Sequence, residues 1–174
     1  MIPLHGAALA TQHLIDIGRT RIAHIATAMN TVGTDREYGY RHTLEKNNIA
    51  VDENLIAYAD FSESTAYEAM QRLLHHKPDA VFIQSDAKAI GAIRAIREAG
   101  LTVPDDIGVV GFDDLPVALL SKPPLTTIRQ PIPETGMAAV NTLIRILKNP
   151  TIEPIVVKLP VELIVRESSG ATLL

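Results

Sequence analysis

Short apolar runs recur along the chain, separated by longer stretches in which apolar residues return every three or four positions. Each run is rich in β-branched residues or bounded by glycine, proline or polar turn residues, which is typical of buried strands. The runs predict strands at residues 21–26, 55–59, 80–84, 107–112 and 126–128.

The stretches between these runs have the 3.6-residue period of amphipathic helices. They predict helices at residues 6–18, at about 35–46 with Asp35 as N-cap, from Ser62 or Ser64 to about 77, and at about 89–100. Strand, helix and strand within residues 80–112 form a right-handed unit with parallel strands. The alternation predicts an α/β fold, a doubly wound parallel sheet with helices on both faces.

Two parts of the chain do not fit a self-contained sheet. The first helix has no strand before it, and a longer helix after Pro133 follows the point where the sheet should be complete. Residues 155–159 and 161–165 are then predicted to be extended, with Pro160 between them. We therefore expect one lobe plus parts of a second. Residues 1–19 and 131–163 are assigned to a neighbouring lobe, 20–130 to the main lobe, and 164–174 to a return segment and tail.

Polar residues follow the two strands of the central unit. Gln84, Ser85 and Asp86 come after the first strand, and Asp113 and Asp114 after the second. Ligands of open α/β sheets bind beyond the carboxyl ends of the strands. These residues are therefore candidates for ligand contacts.

Composition narrows the classes of function. The chain has 174 residues, 47% of them hydrophobic, a net charge of −4 and no cysteine. These values predict one domain with a real core, no disulfide, and no basic surface for direct DNA binding. No apolar run is long enough for a membrane span and no secretion leader is visible, so we expect a cytoplasmic location without membrane contact.

The sequence contains no strong catalytic motif. The sequence has no nucleophile elbow, phosphate-binding glycine loop, dinucleotide fingerprint or paired zinc-binding histidines. Asp113 and Asp114 could belong to a Mg²⁺-dependent phosphate enzyme, but no third ligand is evident. The prediction is a protein with no catalysis, cofactor or metal.

Several segments in order resemble the effector-binding core of lactose-repressor (LacI) family transcription regulators. They include DREYGYR, DFSESTAYEAM, SDAKAIGAIRAIREAGLTVPDDIGVVGFDD, PPLTTIRQP and LPVELIVRESS. The resemblance implies a periplasmic-binding-protein-like core that closes over a sugar- or nucleoside-like effector. It further implies that operator DNA is bound by an amino-terminal helix-turn-helix domain not contained in this sequence. A solute receptor for sugar transport, outside the cytoplasm, is the alternative binding function.

The resemblance also implies the effector-binding residues. Arg36 matches an arginine that reaches the effector, Asp113 an aspartate that pairs with it, and Phe61 an aromatic wall. Gln130 lies at the crossover between lobes. The two remaining members of this set are Ser85, which replaces the usual asparagine, and Asp86, which keeps the family residue.

Simpler structural roles stay open for the same residues. Arg36 could be a solvated helix residue and Phe61 a core aromatic. Asp86 and Asp114 could be helix caps. Ser85 and Gln130 could equally line the ligand cavity or have a structural role.

A homodimer is expected from the same resemblance. The matching interface segments contain Ala66 and Met70 on one helix and Val117, Leu119 and Leu120 in a short apolar loop. Apolar loop residues are unusual on a surface that faces water. Covering the sheet edge is the alternative role for that loop.

Overall fold

The computed structural model describes residues 2–27, 31–149, 151, 153 and 156–171. The helices are α1 (Ile2–Asp16), α2 (Thr31–Lys46), α3 (Glu63–Leu74), α4 (Asp86–Glu98), α5 (Pro116–Leu120) and α6 (Ile132–Lys148). The strands are β1 (Ile22–Ala26), β2 (Ile56–Tyr58), β3 (Ala80–Ile83), β4 (Gly108–Asp113), β5 (Thr126–Arg129) and β6 (Glu162–Ile164). Two short 3-10 helices span Glu53–Leu55 and Glu167–Ser169.

Within the described residues the strands form one sheet in the order β2-β1-β3-β4-β5-β6. All neighbours are parallel except β6, which runs antiparallel to β5. The predicted α/β class with a doubly wound, mostly parallel sheet is confirmed. The strand order reverses between β1 and β3, and such a reversal opens a crevice at the carboxyl ends of those strands.

Two apolar cores cover the two faces of the sheet. One core joins α3 and α4 to the sheet through residues such as Met70, Ile83 and Ile93. The other contains Ala10, Leu14, Tyr40 and Phe112 and lies beneath α1 and α2. The predicted three-layer arrangement follows from these two cores.

The assignment of residues 1–19 to a neighbouring lobe is wrong. Helix α1 packs on this sheet, because Ala7, Ala10 and Leu14 are fully buried in the second core. The approach of α1 to α2 is close, since a Cβ at Gly39 would lie 2.5 Å from the Leu4 carbonyl oxygen. A helix without a preceding strand therefore still completes this lobe.

Helix α6 is different, because none of its residues is buried. Its exposed apolar side chains include Met137, Val140, Ile144 and Leu147. An apolar stripe on an unburied helix fits the expectation that the helix within residues 131–163 packs against a neighbouring lobe, which stays a prediction. Of the strand predicted at 155–159, residue 155 lies outside the described residues, and residues 156–159 form no strand.

Strand β6 corrects the last boundary. Its residues pair with β5, Leu163 opposite Ile128 and Glu162 opposite Arg129. The return to the main lobe therefore begins at Glu162 instead of residue 164.

The start of α2 also differs from the prediction. The helix begins at Thr31, so Asp35 lies inside it and is not the N-cap. Residues 28–30, between β1 and α2, lie outside the described residues. By contrast, Ser62, one of the two predicted caps, is the N-cap of α3 and accepts a hydrogen bond from the Thr65 backbone N–H.

Candidate ligand-binding cavity

A cavity of about 300 Å³ opens at the carboxyl ends of β1, β3 and β4. Four of the predicted effector-binding residues line it together: Arg36, Phe61, Ser85 and Asp113. The remaining lining residues are Thr27, Val32, Gly33 and Gln84. The cavity therefore lies at the crevice that the strand order predicts.

Larger hollows of about 450 and 430 Å³ lie along α6. The hollow of about 430 Å³ is lined mainly by apolar side chains and by no charged residue. The hollow of about 450 Å³ is lined in part by prolines near the crossover between the lobes. We place the candidate site at the smaller cavity, because it lies at the reversal of the strand order and contains Arg36 and Asp113. An apolar hollow on an unburied helix is more typical of a packing surface.

Arg36 reaches the cavity from α2. Its Nη1 donates to the Gln84 carbonyl oxygen at 2.5 Å, and its Nη2 lies 3.6 Å from Asp113 Oδ1. The guanidinium carbon lies 3.7 Å from the centroid of the Phe112 ring. Burial lowers the pKa of Arg36, and the Asp113 and Asp86 carboxylates oppose that shift. An arginine nevertheless stays protonated, so the cavity contains a fixed cation.

Asp113 ends β4 with a φ of 113°, a backbone conformation that is rare for a residue with a side chain. Its Oδ1 accepts a 2.6 Å hydrogen bond from Gln130 Nε2. Burial raises the pKa of Asp113, whereas the Arg36 cation and the Gln130 hydrogen bond lower it. The strained turn aims a carboxylate into the cavity and Gln130 holds it there.

Asp114 is not a helix cap, which corrects the sequence prediction. Helix α5 has Leu115 as N-cap without a side-chain hydrogen bond. Asp114 accepts hydrogen bonds of 2.6 Å from both Arg129 and Arg166. Burial alone would raise the pKa of Asp114, but the hydrogen bonds from the two arginines lower it. The two adjacent carboxylates therefore serve different partners.

Asp86 does not line the cavity, so the prediction of a direct effector contact is wrong for this residue. It is fully buried, and its carboxylate accepts hydrogen bonds from Thr127 Oγ1 at 2.6 Å and from the Leu115 backbone N–H at 2.7 Å. Burial raises the pKa of Asp86 to about 6. Ser85, and not Asp86, is the N-cap of α4. Asp86 thus anchors the turn that follows Asp113.

Gln130 is also absent from the cavity lining. It lines the hollow next to α6, and from there its amide contacts Asp113. Its role in the structure is to orient that carboxylate.

Sequence reasoning missed a buried polar network behind the cavity. His24 is fully buried, and its Nδ1 lies 3.0 Å from the Phe82 carbonyl oxygen, which fixes the proton on Nδ1. Its Nε2 then accepts from Gln84 Nε2 at 2.9 Å, and Gln84 Oε1 accepts from the Thr27 backbone N–H at 3.0 Å. Burial lowers the pKa of His24 to about 3. The network locks Gln84 and Thr27 at the cavity edge.

Lys88 was missed as well. It is fully buried in the first turn of α4, and its Nζ donates to Thr27 Oγ1 at 2.6 Å. A cation in a first turn is disfavoured by the helix dipole, and that position in the sequence was the signal.

The predicted dimer residues separate into two groups. Ala66 and Met70 are fully buried in the core beneath α3, so their prediction as interface residues is wrong. Leu119 and Leu120 are 64% and 77% exposed, and Val117 is half-buried. Only the α5 residues are available to a partner.

Neither a membrane span nor a metal cluster is found in the described residues. Their helices are all too short or too polar to cross a bilayer. Nor do these residues bring together three side chains of the histidine, cysteine, aspartate or glutamate type in a metal-binding arrangement.

A family model described as a periplasmic binding protein-like domain matches residues 11–169. The chain belongs to this family. Its relatives and structural neighbours include transcription regulators, several of them described as members of the LacI family.

Two relatives illustrate the match. The HTH-type transcriptional regulator CelR of Thermobifida fusca is 40% identical over 166 residues, which cover 94% of this chain and 49% of CelR. The ribose operon repressor of Escherichia coli K12 is 40% identical over 153 residues, covering 86% of this chain and 46% of the repressor. This chain therefore spans about half the length of these relatives.

The fold agrees with the same assignment. A CelR–cellobiose complex superposes with a TM-score of 0.93 at 37% identity, over 97% of this chain and 52% of that one. The lac repressor dimer bound to operator and the anti-inducer ONPF superposes with a TM-score of 0.89 at 31% identity. The match covers 97% of this chain and 51% of the repressor chain. These relatives are transcription regulators and not enzymes or transport receptors.

Proposed function

We propose that this lobe senses a small carbohydrate and, within a complete regulator, controls the binding of operator DNA. The observation that carries the proposal is the opposed pair of Arg36 and Asp113, 3.6 Å apart at the edge of one cavity. Arginine only donates hydrogen bonds and an ionised carboxylate only accepts them. A polyol, whose hydroxyls do both, can satisfy the two groups together.

The effector class is supported by the rest of the cavity. Phe61 is 72% exposed at the cavity edge, where its ring can cover the C–H face of a sugar. A CelR structure similar to this chain holds cellobiose. A carbohydrate is therefore the effector class that we propose, with no catalytic step and no cofactor.

Regulation would follow from closure of two lobes. The apolar face of α6 supplies a surface for the second lobe, and an effector that contacts both lobes favours the closed arrangement by its differential affinity. DNA binding would belong to a separate amino-terminal domain of the regulator, since the net charge of this chain is −4. Such a regulator acts in the cytoplasm, where its operator is.

We also propose that the regulator is a homodimer. Leu119 and Leu120 form an exposed apolar pair on α5, next to half-buried Val117. Burial of such side chains against a second copy removes apolar area from water. The lac repressor, which this chain resembles, was solved as a dimer.

A thermal screen of the complete regulator tests the carbohydrate proposal. Bound effector stabilises the native state by mass action, so a true effector raises the melting temperature with its concentration. We expect a shift with a sugar such as cellobiose or ribose, and loss of that shift in Arg36→Ala and Asp113→Ala. Arg41→Ala is the matched control, because Arg41 lies on the same helix but pairs with Glu37 and Glu53. An unchanged shift in both cavity variants would refute the site.

A further inference from the structure

Lys88 contacts two hydroxyl-bearing residues at the edge of the cavity. Its Nζ donates to Thr27 Oγ1 at 2.6 Å and lies 3.5 Å from the Ala26 carbonyl oxygen. Its backbone N–H donates to Ser85 Oγ at 3.4 Å. The Lys88 ammonium group therefore fills an acceptor position on the Thr27 hydroxyl, and the Lys88 backbone N–H fills one on the Ser85 hydroxyl.

Both hydroxyls are left with a proton to donate. A hydroxyl has one donor and two acceptor positions, and an ammonium group can only donate to it. Among residues 2–27, 31–149, 151, 153 and 156–171, Lys88 is the only hydrogen-bond partner found for either hydroxyl. Thr27 and Ser85 both line the cavity, so their protons are available to a ligand there.

The two hydroxyls lie on neighbouring strand ends. Strands β1 and β3 pair in parallel with Ile25 opposite Ile83, and Gln84 N–H continues the ladder by donating to the Ile25 carbonyl oxygen. Two residues further along, this register sets Thr27 beside Ser85, at a strand spacing of about 4.8 Å. Two donors at that separation can bind two oxygens of one group.

Lys88 also carries a charge without a carboxylate partner. Arg36 is paired with Asp113, but no ion pair of Lys88 is found in the part of the chain that the structure describes. Lys88 is fully buried, and a buried cation without a counter-ion is costly. An anionic group beside Thr27 and Ser85 would offset that cost.

We infer that Thr27, polarised by the Lys88 ammonium group, and Ser85, held by the Lys88 backbone N–H, form a subsite for an oxyanion, so that the effector is an acidic carbohydrate bearing a carboxylate or phosphate group. The inference rests on the carbohydrate function proposed above and narrows it. Asp113, which lines the same cavity, accepts hydrogen bonds from the hydroxyls of that effector, while the Lys88 charge acts through the Thr27 hydroxyl without touching the ligand. Ser85 suits this subsite better than an amide, which would also present an acceptor to the ligand.

The protonation of Lys88 gives the subsite a pH dependence. Burial, followed by the Arg36 charge, lowers the pKa of Lys88 to about 8, against the opposing influence of Asp113 and Asp60. The facing groups keep their charge above pH 7, because Arg36 stays protonated, Asp60 has a pKa of about 2, and Asp86 on the same helix has a pKa of about 6. Loss of the Lys88 proton above pH 8 should therefore weaken the binding of an anion and leave a neutral sugar unaffected.

Calorimetry on the complete regulator with matched probes tests the inference. The affinity for each neutral sugar is compared with that for its acidic derivatives. Glucose is compared with glucuronate and glucose 6-phosphate, ribose with ribose 5-phosphate, and cellobiose with cellobionate. At least one acid should bind about tenfold or more tightly than its neutral partner, as expected for a charge-assisted hydrogen bond. Comparison of the carboxylate probes with the phosphate probes shows which oxyanion the subsite binds. Affinity for that acid should fall between pH 7 and 9.

Three variants separate the subsite from a general effect on folding. Lys88→Met keeps a long buried side chain without its charge, and Thr27→Val removes only the hydroxyl. Both should reduce the ratio of the affinity for the acid to the affinity for its neutral partner to about one. Ser85→Asn, which retains an N-cap, should reduce the preference. Lys46→Met, at an exposed position on α2, is the control and should leave the preference unchanged.

The outcomes are distinguishable. If neutral sugars bind as tightly as their acids, or if the preference survives in Lys88→Met and Thr27→Val, the oxyanion subsite is refuted and the carbohydrate function stands. If no probe of either kind binds, the carbohydrate function is refuted and the subsite with it.

Discussion

Arg36 Nη2 lies 3.6 Å from Asp113 Oδ1, and this contact joins helix α2 to the end of strand β4 across the cavity. Both side chains are largely shielded from solvent, Arg36 by the Phe112 ring beneath it. Partial burial makes the pair a stronger electrostatic feature than an ion pair on the surface. The arrangement offers fixed donors and a fixed acceptor to one ligand.

Arg36→Lys should weaken effector binding by about tenfold or more, because lysine lacks the planar fork that contacts the Gln84 carbonyl and Asp113 together. Calorimetry of the regulator with its effector measures the change. Asp113→Asn should weaken binding in the same direction, and the double variant should lose less than the sum, since each residue depends on the other. Fully additive losses would show that the two residues act independently.

Acid should destabilise the lobe through His24. Its pKa is about 3 in the folded protein against 6.5 for the free side chain, so the unfolded state binds more protons between these values. The stability that His24 contributes is present above pH 6.5 and is lost as the pH falls from 6.5 towards 3.

Urea unfolding of the wild type and of His24→Gln at several pH values measures this effect. The difference in unfolding free energy between the two proteins should shrink on acidification, with a slope of at most about 1.4 kcal/mol per pH unit. A constant difference from pH 7 to pH 4 would contradict the buried neutral state of His24.

Gly91 is required by the contact between α3 and α4. A Cβ there would lie 2.1 Å from the Glu63 carbonyl oxygen, so Gly91→Ala should destabilise the lobe by about 1–3 kcal/mol. Gly136→Ala in α6 is the matched control, because nothing beyond its chain neighbours and the adjacent helix backbone lies within 4 Å of its added Cβ. That variant should stabilise the helix by about 0.5–1 kcal/mol. Thermal unfolding of both variants measures the contrast, and equal effects would contradict this packing.

Substitutions of Leu120 and Met70 should have different effects, the first on dimerisation and the second on stability. Leu120 is 77% exposed and Met70 is fully buried. Leu120→Ser should shift the regulator from dimer to monomer in sedimentation velocity, with an effect on lobe stability within about 0.5 kcal/mol. Met70→Ala should cost about 2–5 kcal/mol of stability through a cavity in the core. A Leu120→Ser protein that stays dimeric at low concentration would exclude α5 from the interface.

The sequence predicted the fold class because strand and helix periods report directly which side chains are buried. The five parallel strands, the central helix α4 and the capping of α3 by Ser62, one of two predicted caps, follow from local patterns. It also indicated where a site would lie, since polar residues after a buried strand project from the carboxyl edge of the sheet. Arg36, Phe61, Ser85 and Asp113 do meet there.

The errors concern residues whose surroundings come from distant parts of the chain. Asp86 was read as a ligand contact, but Thr127 and Leu115, brought close only by the fold, bury it. Met70 lies on an apolar stripe that could have faced a partner or the sheet, and periodicity does not distinguish the two. Helix α1 was placed in another lobe because no strand precedes it, whereas its packing is decided by contacts with α2 and Phe112.

The sequence by itself thus determined the elements, their order and the edge of the sheet that carries the polar residues, since these depend on local periodicity and turn chemistry. Only the tertiary structure decided which polar groups face the cavity and which are buried in hydrogen bonds inside the fold. Lys88 shows the reason: its charge is a property of one residue, but its burial against Thr27 depends on contacts 61 positions apart in sequence. Burial and hydrogen-bond pairing are set by such distant contacts, and they decide what a side chain can offer to a ligand.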